Sequence, residues 1–239
     1  MALHYDLHIH SCLSPCADAD MTPGNICAMA RLKGLDVIAV TDHQSAGNLP
    51  AVAACAAREG LLLLPGLEVC TREEVHVLCY FAGLEDALRM GAWCHERLPD
   101  IPNRPAYFGE QTYMDEHDRV TGHEPRLLIM ALSAGLDEVC RQARALGGVP
   151  VPAHINRGEN GILAALGFLP PEEGFAALEI SPDLPLPDDL QLSRYRVLRS
   201  SDAHQLGDIA ERGQVIAVQR SAQAVLAWLG AMPTDKAEG

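Results

Sequence analysis

Short apolar runs, each closed by a histidine or a carboxylate, constrain this chain more than any other feature. They read LHYDLHIH, DVIAVTDH, LLLLPGLE, GGVPVPAH and YRVLRSSDAH, with VHV shortly after the third. Apolar runs of this length between turn residues read as buried strands. Nine residues of metal-ligand type accompany them: His8, His10, Asp18, His43, Glu68, His76, His154, Asp202 and His204. Buried ionisable groups are rare unless paired or metal-bound, so their recurrence at strand ends points to one shared site. Ligand-type side chains at several strand ends are what a barrel-like α/β metalloenzyme presents at one mouth. Alternate residues of a strand share a face, so His8 pairs with His10, and Asp202 with His204. Mixed imidazole and carboxylate donors suit Zn²⁺, Mn²⁺ or Fe²⁺ better than Mg²⁺ or Ca²⁺. Nine donors are too many for one ion and about right for two or three.

Between these runs the pattern predicts strands at 3–10, 36–41, 61–67, 75–81, 149–153, 176–181, 195–200 and 214–218. Helices are expected at 22–33, 48–59, 84–97, 125–133, 135–146 and 221 to about 230. Thr22 is placed to cap the first of these, with Pro23 in its first turn. Alternating strands and helices suggest a parallel barrel. Residues 99–125 are richer in Pro, Asn, Gly and charge; they read as an excursion that caps the site, with Arg104, Tyr107, Gln111, Tyr113 and Arg119 as candidates to select a leaving group. A short insert is expected over 157–174 and a Pro-rich loop over 182–189. The expected organisation is a single domain over 1–232, with a frayed tail at 233–239.

The 239 residues suffice for one sizeable α/β domain, and 48% hydrophobic with 21% charged residues is neither disordered nor membrane-like. No apolar run is long enough to span a bilayer, and no basic segment precedes an apolar one at the N-terminus, so a cytoplasmic location is expected. The formal charge of −14 would fall only to −8 with three divalent ions bound. A long nucleic acid is therefore not the expected partner, whereas a small anion gripped by a metal cluster is. Eight cysteines form no CxxC pair; they read as reduced structural thiols, two of which, Cys12 and Cys16, lie between metal-type residues.

The motifs DLHIHS at 6–11, TDH at 41–43, GLE at 66–68 followed by His76, AHI at 153–155 and SDAH at 201–204 resemble, in order, those of the PHP (polymerase and histidinol phosphatase) superfamily. The resemblance implies an α/β fold, a distorted seven-stranded (β/α) TIM-like barrel with a trinuclear metal site at the strands' C-terminal ends. It implies His8, His10 and Asp202 on a first metal and Glu68 bridging to a second, which His76 and His154 also hold. Asp18, His43 and His204 would hold a third. Two departures stand out. The loop SCLSPCADADMTP is longer than the short SDG-like turn of the family, which leaves Asp20 as an alternative to Asp18. The fourth motif reads AHI where AHP is commoner.

The implied reaction is metal-dependent hydrolysis of a small phosphomonoester (a nucleotide, sugar phosphate or amino-alcohol phosphate) by a metal-bridging hydroxide. Two to three ions, Mn²⁺, Zn²⁺ or Fe²⁺, are the expected cofactors. Glu68, His43, Asp202 and His204 are the candidate catalytic residues, with His43 and His204 acting mainly as ligands. Arg157 and Arg72, which closely follow His154 and Glu68, are candidates to grip a phosphate. A nuclease of short oligonucleotide ends and a noncatalytic, metal-stabilised module are the alternatives. No Ser-His-Asp triad, P-loop or Rossmann fingerprint appears.

Overall fold

The computed structural model describes residues 2–182, 184–186 and 190–233, so part of the expected Pro-rich loop and most of the expected tail lie outside the described residues. The architecture is α/β. In chain order it runs β1 (Ala2–Ile9), α1 (Pro23–Leu32), β2 (Val37–Val40), α2 (Leu49–Glu59), β3 (Leu62–Leu63), β4 (Gly66–Cys70) and β5 (His76–Tyr80). It continues through α3 (Leu84–Arg97), α4 (Pro105–Phe108), β6 (Thr112–Met114), β7 (Val120–His123), α5 (Leu136–Ala145) and β8 (Val149–Pro152). It ends with α6 (Ile162–Leu166), β9 (Ala177–Glu179), β10 (Arg196–Leu198), β11 (Val215–Ala217) and α7 (Ala222–Gly230). As the sequence predicts, the Thr22 hydroxyl caps α1 by accepting from the Asn25 amide at 3.2 Å.

Four sheets form among the described residues, ordered β11-β1-β2-β3, β4-β5-β8, β9-β10 and β6-β7, and none closes on itself. Among the described residues, the parallel strand ladders are β1-β2, β2-β3 and β9-β10. The uniformly parallel arrangement expected from the sequence is therefore corrected: β4-β5 and β5-β8 are antiparallel. Only Thr71–Val75 separate β4 from β5, too few for a parallel crossover, which takes a dozen or more residues. The single strand expected at 61–67 is split at Pro65, which has no N–H to donate, and the chain passes there from pairing with β2 to pairing with β5.

Backbone hydrogen bonds stitch the sheets at their edges. Ile9 bridges to Ala203 and His43 to Glu68, both in parallel sense. The Ile155 amide donates to the Glu179 carbonyl at 2.9 Å, linking the end of β8 to β9. Alternating residues feed two cores. On β2, Ile38 and Val40 pack with residues of α1, α2, α3 and α5, while Val37 and Ala39 join Leu7, Leu78, Val151 and Leu198 on the opposite face. Both faces of the strands are apolar, which is why the sequence shows continuous runs and not strict alternation.

Two other expectations change. Residues 125–133 are not helical. Gln111 Oε1 accepts from the Leu128 amide at 2.8 Å, and Gln44 Nε2 donates to the Met130 carbonyl at 2.9 Å, so tertiary partners take the backbone groups that a helix would use. The excursion at 99–125 carries α4 and the β6-β7 hairpin. It grips the loop after β1: the Thr112 amide donates to the Cys12 carbonyl at 2.9 Å, and Gly109 lies against Pro15.

Candidate metal centre

Six imidazoles and two carboxylates converge where the sheets meet. Glu68, on β4, is the hub. Its Oε1 lies 2.9 Å from His76 Nδ1, 3.2 Å from His154 Nε2 and 3.4 Å from His8 Nε2. Its Oε2 lies 3.0 Å from His43 Nδ1 and 3.5 Å from His10 Nε2. Asp202 Oδ1 stands 3.2 Å from both His8 Nε2 and His10 Nε2. His10 and His204 stack with centroids 4.3 Å apart. All these residues are buried except Asp202 and His204, which are partly open to a cavity of about 250 Å³. That cavity is lined by Cys16, His43, Glu68, His76, Ile129, Arg157, Asn160, Asp202 and His204.

Local structure explains the convergence. His8 and His10 alternate at the end of β1, whose last residue bridges to Ala203 and so brings Asp202 and His204 alongside. His154 and Asp202 follow strand ends in left-handed backbone, at φ 27° and 53°. Non-glycine residues hold this conformation at a cost of about 1–3 kcal/mol, and such strain concentrates at functional sites. After His154 the chain turns tightly enough that a Cβ on Gly161 would collide with the Arg157 carbonyl.

The charges are mutually adjusted. Burial disfavours a charged Glu68, but the surrounding imidazoles, His76 and His8 foremost, outweigh it and hold the carboxyl well below its usual range. Asp202 is likewise held low, against burial, by His8 and His10. Burial together with the neighbouring His43 and His204 pushes His10 well below the ordinary imidazole value. His76 is also lowered, chiefly by burial. His43 moves the other way, to about 10, because Cys16 and Glu68 overcome its burial.

Buried outer groups orient the imidazoles. Glu179 Oε2 accepts from His8 Nδ1 at 2.8 Å and from the His154 amide at 3.1 Å. His10 Nδ1 meets Ser14 Oγ at 2.9 Å, and Ser14 Oγ donates to Asp42 at 2.7 Å. Asp42 also accepts from the Ser11 amide at 2.7 Å and the Ser11 hydroxyl at 2.6 Å. Partners of this kind fix the tautomer of a ligating histidine. Sequence reasoning missed Glu179, although ALEI repeats the signature of GLEV around Glu68, an acid closing an apolar run.

Eight of the nine residues singled out in the sequence are brought together. Asp18 is not among them: it is exposed and lines no part of the cavity, and its amide donates to the His204 carbonyl at 2.9 Å. Asp20 is also exposed. Cys16 reaches the cavity instead. Its thiol meets the His204 and His43 imidazoles, which overcome the opposing effect of burial and draw it down to about 7. The other seven cysteines are buried, and all eight are free. Arg157 stands at the rim with Nη2 2.6 Å from Asp202 Oδ2. Arg72 lies apart, exposed and paired with Glu73 at 3.1 Å. No residue of 99–125 lines the cavity.

The donor set fits divalent metal ions. Three groups of nitrogen and oxygen donors, His8–His10–Glu68, His43–Glu68–His76 and His10–His43–His204, each lie within 4.8 Å. His154 Nδ1 is buried without a hydrogen-bond partner, which leaves a ligand-type lone pair or proton uncompensated. Among the described residues no helix is long and apolar enough to cross a membrane.

The chain is similar to several known proteins. The PHP domain family model matches residues 6–147. A 76-residue stretch is 38% identical to a 3',5'-nucleoside bisphosphate phosphatase of Chromobacterium violaceum, covering 30% of this chain and 26% of that protein. The structure of the lesion-specific endonuclease EndoQ from Pyrococcus furiosus superposes with a TM-score of 0.68 at 19% identity, over 96% of this chain and 56% of that one. A candidate metal-dependent phosphoesterase from Bifidobacterium adolescentis superposes with a TM-score of 0.59 at 21% identity, over 87% and 90% of the two chains. At these identities the two structures speak to fold alone. The chain spans about a quarter of the curated relative and just over half of the endonuclease. With more than half of its length matched by one family model, and with that family's fold, the chain belongs to the PHP domain family.

Proposed function

We propose that this protein is a metal-dependent phosphoesterase that hydrolyses a small phosphomonoester: a nucleotide, a sugar phosphate or an amino-alcohol phosphate. The observation that carries this reading is the single carboxylate, Glu68, set within 3.5 Å of five imidazoles at the floor of a small cavity with a guanidinium at its rim. His8, His10 and Asp202 would hold one ion, with Glu68 shared between it and a second ion held by His76 and His154. His43 and His204 would take part in a third site. The stitched edges β1-β2-β4-β5-β8-β9-β10 are read as a distorted seven-stranded barrel whose mouth is this cavity, and residues 1–232 as one domain.

Bound zinc, manganese or ferrous ions would supply an activated water at neutral pH and positive charge for the phosphate oxygens. The chain's own residues prepare the site for both. Glu179 keeps the His8 Nδ1 proton in place and leaves Nε2 as the donor. Arg157 binds a phosphate oxygen on exchanging its contact with Asp202. A neighbouring 320 Å³ cavity shares His154, Arg157 and Asp202 with the site and accepts the leaving group among Ser181, Leu184 and Asp208. The relative named as a nucleoside bisphosphate phosphatase supports a small phosphate substrate.

Metal content per chain, measured together with phosphate release from a phosphomonoester panel and cleavage of a short oligonucleotide, tests the proposal. Two to three metals with release from monoesters supports it. Metals with oligonucleotide cleavage alone would transfer the activity to nucleic-acid ends. Protein that binds no metal from manganese or zinc would refute the site.

A further inference from the structure

The carboxylate that the family pattern places beside His43 and His204 is absent from the cavity: Asp18 and Asp20 are both exposed and line none of it. We propose that Cys16 takes that place, and that its sulfur, with His43 and His204, forms a thiolate-bearing metal site that selects zinc over manganese. The inference rests on the metal-centre reading above and adds a ligand and a metal preference to it.

Three observations support it independently of the family pattern. Cys16 lines the cavity, with its thiol in contact with both imidazoles. His10, His43 and His204 present nitrogens within 4.8 Å of one another. Asp202 Oδ1 lies 3.2 Å from His10 Nε2 and 3.8 Å from His204 Nδ1, so the corner already gathers ligand-type donors. On the open side of this corner, the further donor that borders it is the Cys16 sulfur.

The loop that carries Cys16 is also built to hold it. The Ser14 amide donates to the Ser11 carbonyl at 2.9 Å and the Ala17 amide to the Ser14 carbonyl at 3.1 Å, one on each side of the cysteine's turn. Ser14 Oγ ties the loop to Asp42 and His10 and accepts from the His43 amide at 3.2 Å. Gly109, at φ 88°, packs against the Pro15 carbonyl from outside. Beyond Cys16, the Asp18 amide is spent on the His204 carbonyl and the Asp18 carbonyl on the Met21 amide at 3.0 Å, which turns the chain so that the acidic side chains meet solvent. A soft thiolate among imidazoles matches zinc, whereas manganese prefers oxygen. As the metal–sulfur bond forms, the thiol proton passes to solvent.

The test uses the full chain, stripped with chelator and reloaded with zinc or cobalt. Cys16 is the exposed cysteine, so iodoacetamide under native conditions reports on it by peptide mass. Zinc is expected to abolish its alkylation, and cobalt to give a thiolate-to-metal charge-transfer band in the near ultraviolet. Cys16→Ser should lose the band and weaken zinc binding by more than the ~10–100-fold that loss of an outer-shell partner costs. Asp18→Asn should keep both. Alkylation indifferent to bound zinc, with no band in cobalt-loaded protein, would overturn the role of Cys16 while leaving the other metals in place. Loss of the band in Asp18→Asn with retention in Cys16→Ser would do the same. Failure to bind either metal at all would instead remove the underlying metal reading. The wild-type alkylation result stands whether or not a variant folds.

Discussion

Glu179 offers the sharpest test of how the centre is assembled, because it touches the imidazoles from behind. It is buried, and it accepts one charge-assisted hydrogen bond from His8 Nδ1 at 2.8 Å and one from the His154 amide at 3.1 Å. Glu179→Gln keeps an acceptor of the same shape and removes the charge. Charge-assisted bonds are roughly twice as strong as neutral ones, so with ~1.5–3 kcal/mol for the His8 contact about 1 kcal/mol is lost. That corresponds to roughly fivefold weaker metal binding, just below the ~10–100-fold range for loss of such a partner. Glu179→Ala leaves two buried donors unpaired, at about 1–3 kcal/mol each, so the metal-free fold should lose about 2–6 kcal/mol. Competition with a chromophoric chelator reads the first effect, and urea unfolding of metal-free protein reads the second. Wild-type metal affinity in Glu179→Gln, or a loss under about 1 kcal/mol in Glu179→Ala, would refute the reasoning.

Three further outcomes are expected. In the metal-free protein, His43 is raised to about 10, so its stabilising contribution is full below its unfolded value of about 6.5 and is lost as pH rises through about 10. Glu68 and Asp202 are depressed, so theirs is present above about pH 4 and lost on acidification. Melting temperature with chelator should therefore fall on both sides of a plateau near pH 5–7, and saturating zinc should remove the alkaline limb; a flat alkaline limb with chelator would contradict the His43 assignment. Gly109→Ala puts a Cβ against the Pro15 carbonyl at a positive φ, costs about 1–3 kcal/mol in melting experiments, and speeds alkylation of Cys16 by displacing its loop. Arg157→Met removes the guanidinium at the cavity rim and should raise KM for a phosphomonoester about tenfold or more, from the ~1.5–3 kcal/mol of a charge-assisted contact, with melting temperature unchanged.

The strand-end histidines were legible because two rules coincide in them: apolar runs mark buried strands, and buried ionisable groups need partners. Those two rules single out eight residues that the structure brings together. Asp18 is not brought in with them, because nothing in SCLSPCADADMTP says which side chain of a loop turns inward; Ser14, Asp42 and the His204 carbonyl decide that through contacts distant in sequence. The antiparallel β4-β5 pair was legible in principle from its five-residue connection, but periodicity alone carries no strand direction. Residues 125–133 look helical as a string of Leu, Ile and Met, and they lose the helix to Gln44 and Gln111, whose amides are invisible to a local reading. Glu179 was passed over because it bears no histidine beside it, although its apolar setting is that of Glu68.

The same residues that form the centre also form the seams of the fold. His43 bridges to Glu68, Ile9 beside His10 bridges to Ala203 beside His204, and the link from β8 to β9 passes through Ile155 and Glu179, next to His154. Each seam is short, one or two backbone hydrogen bonds, where a continuous ladder would supply several. Six imidazoles crowded at centroid distances of 4.3 to 6.5 Å repel whenever more than a few are protonated. Metal ions at this point would remove that repulsion and clamp strands that the backbone joins only loosely. Binding free energy at such a site is therefore also folding free energy. With ions bound, the sheets need not close by backbone pairing alone, because the strand ends would be held from the centre by the clustered imidazoles and carboxylates.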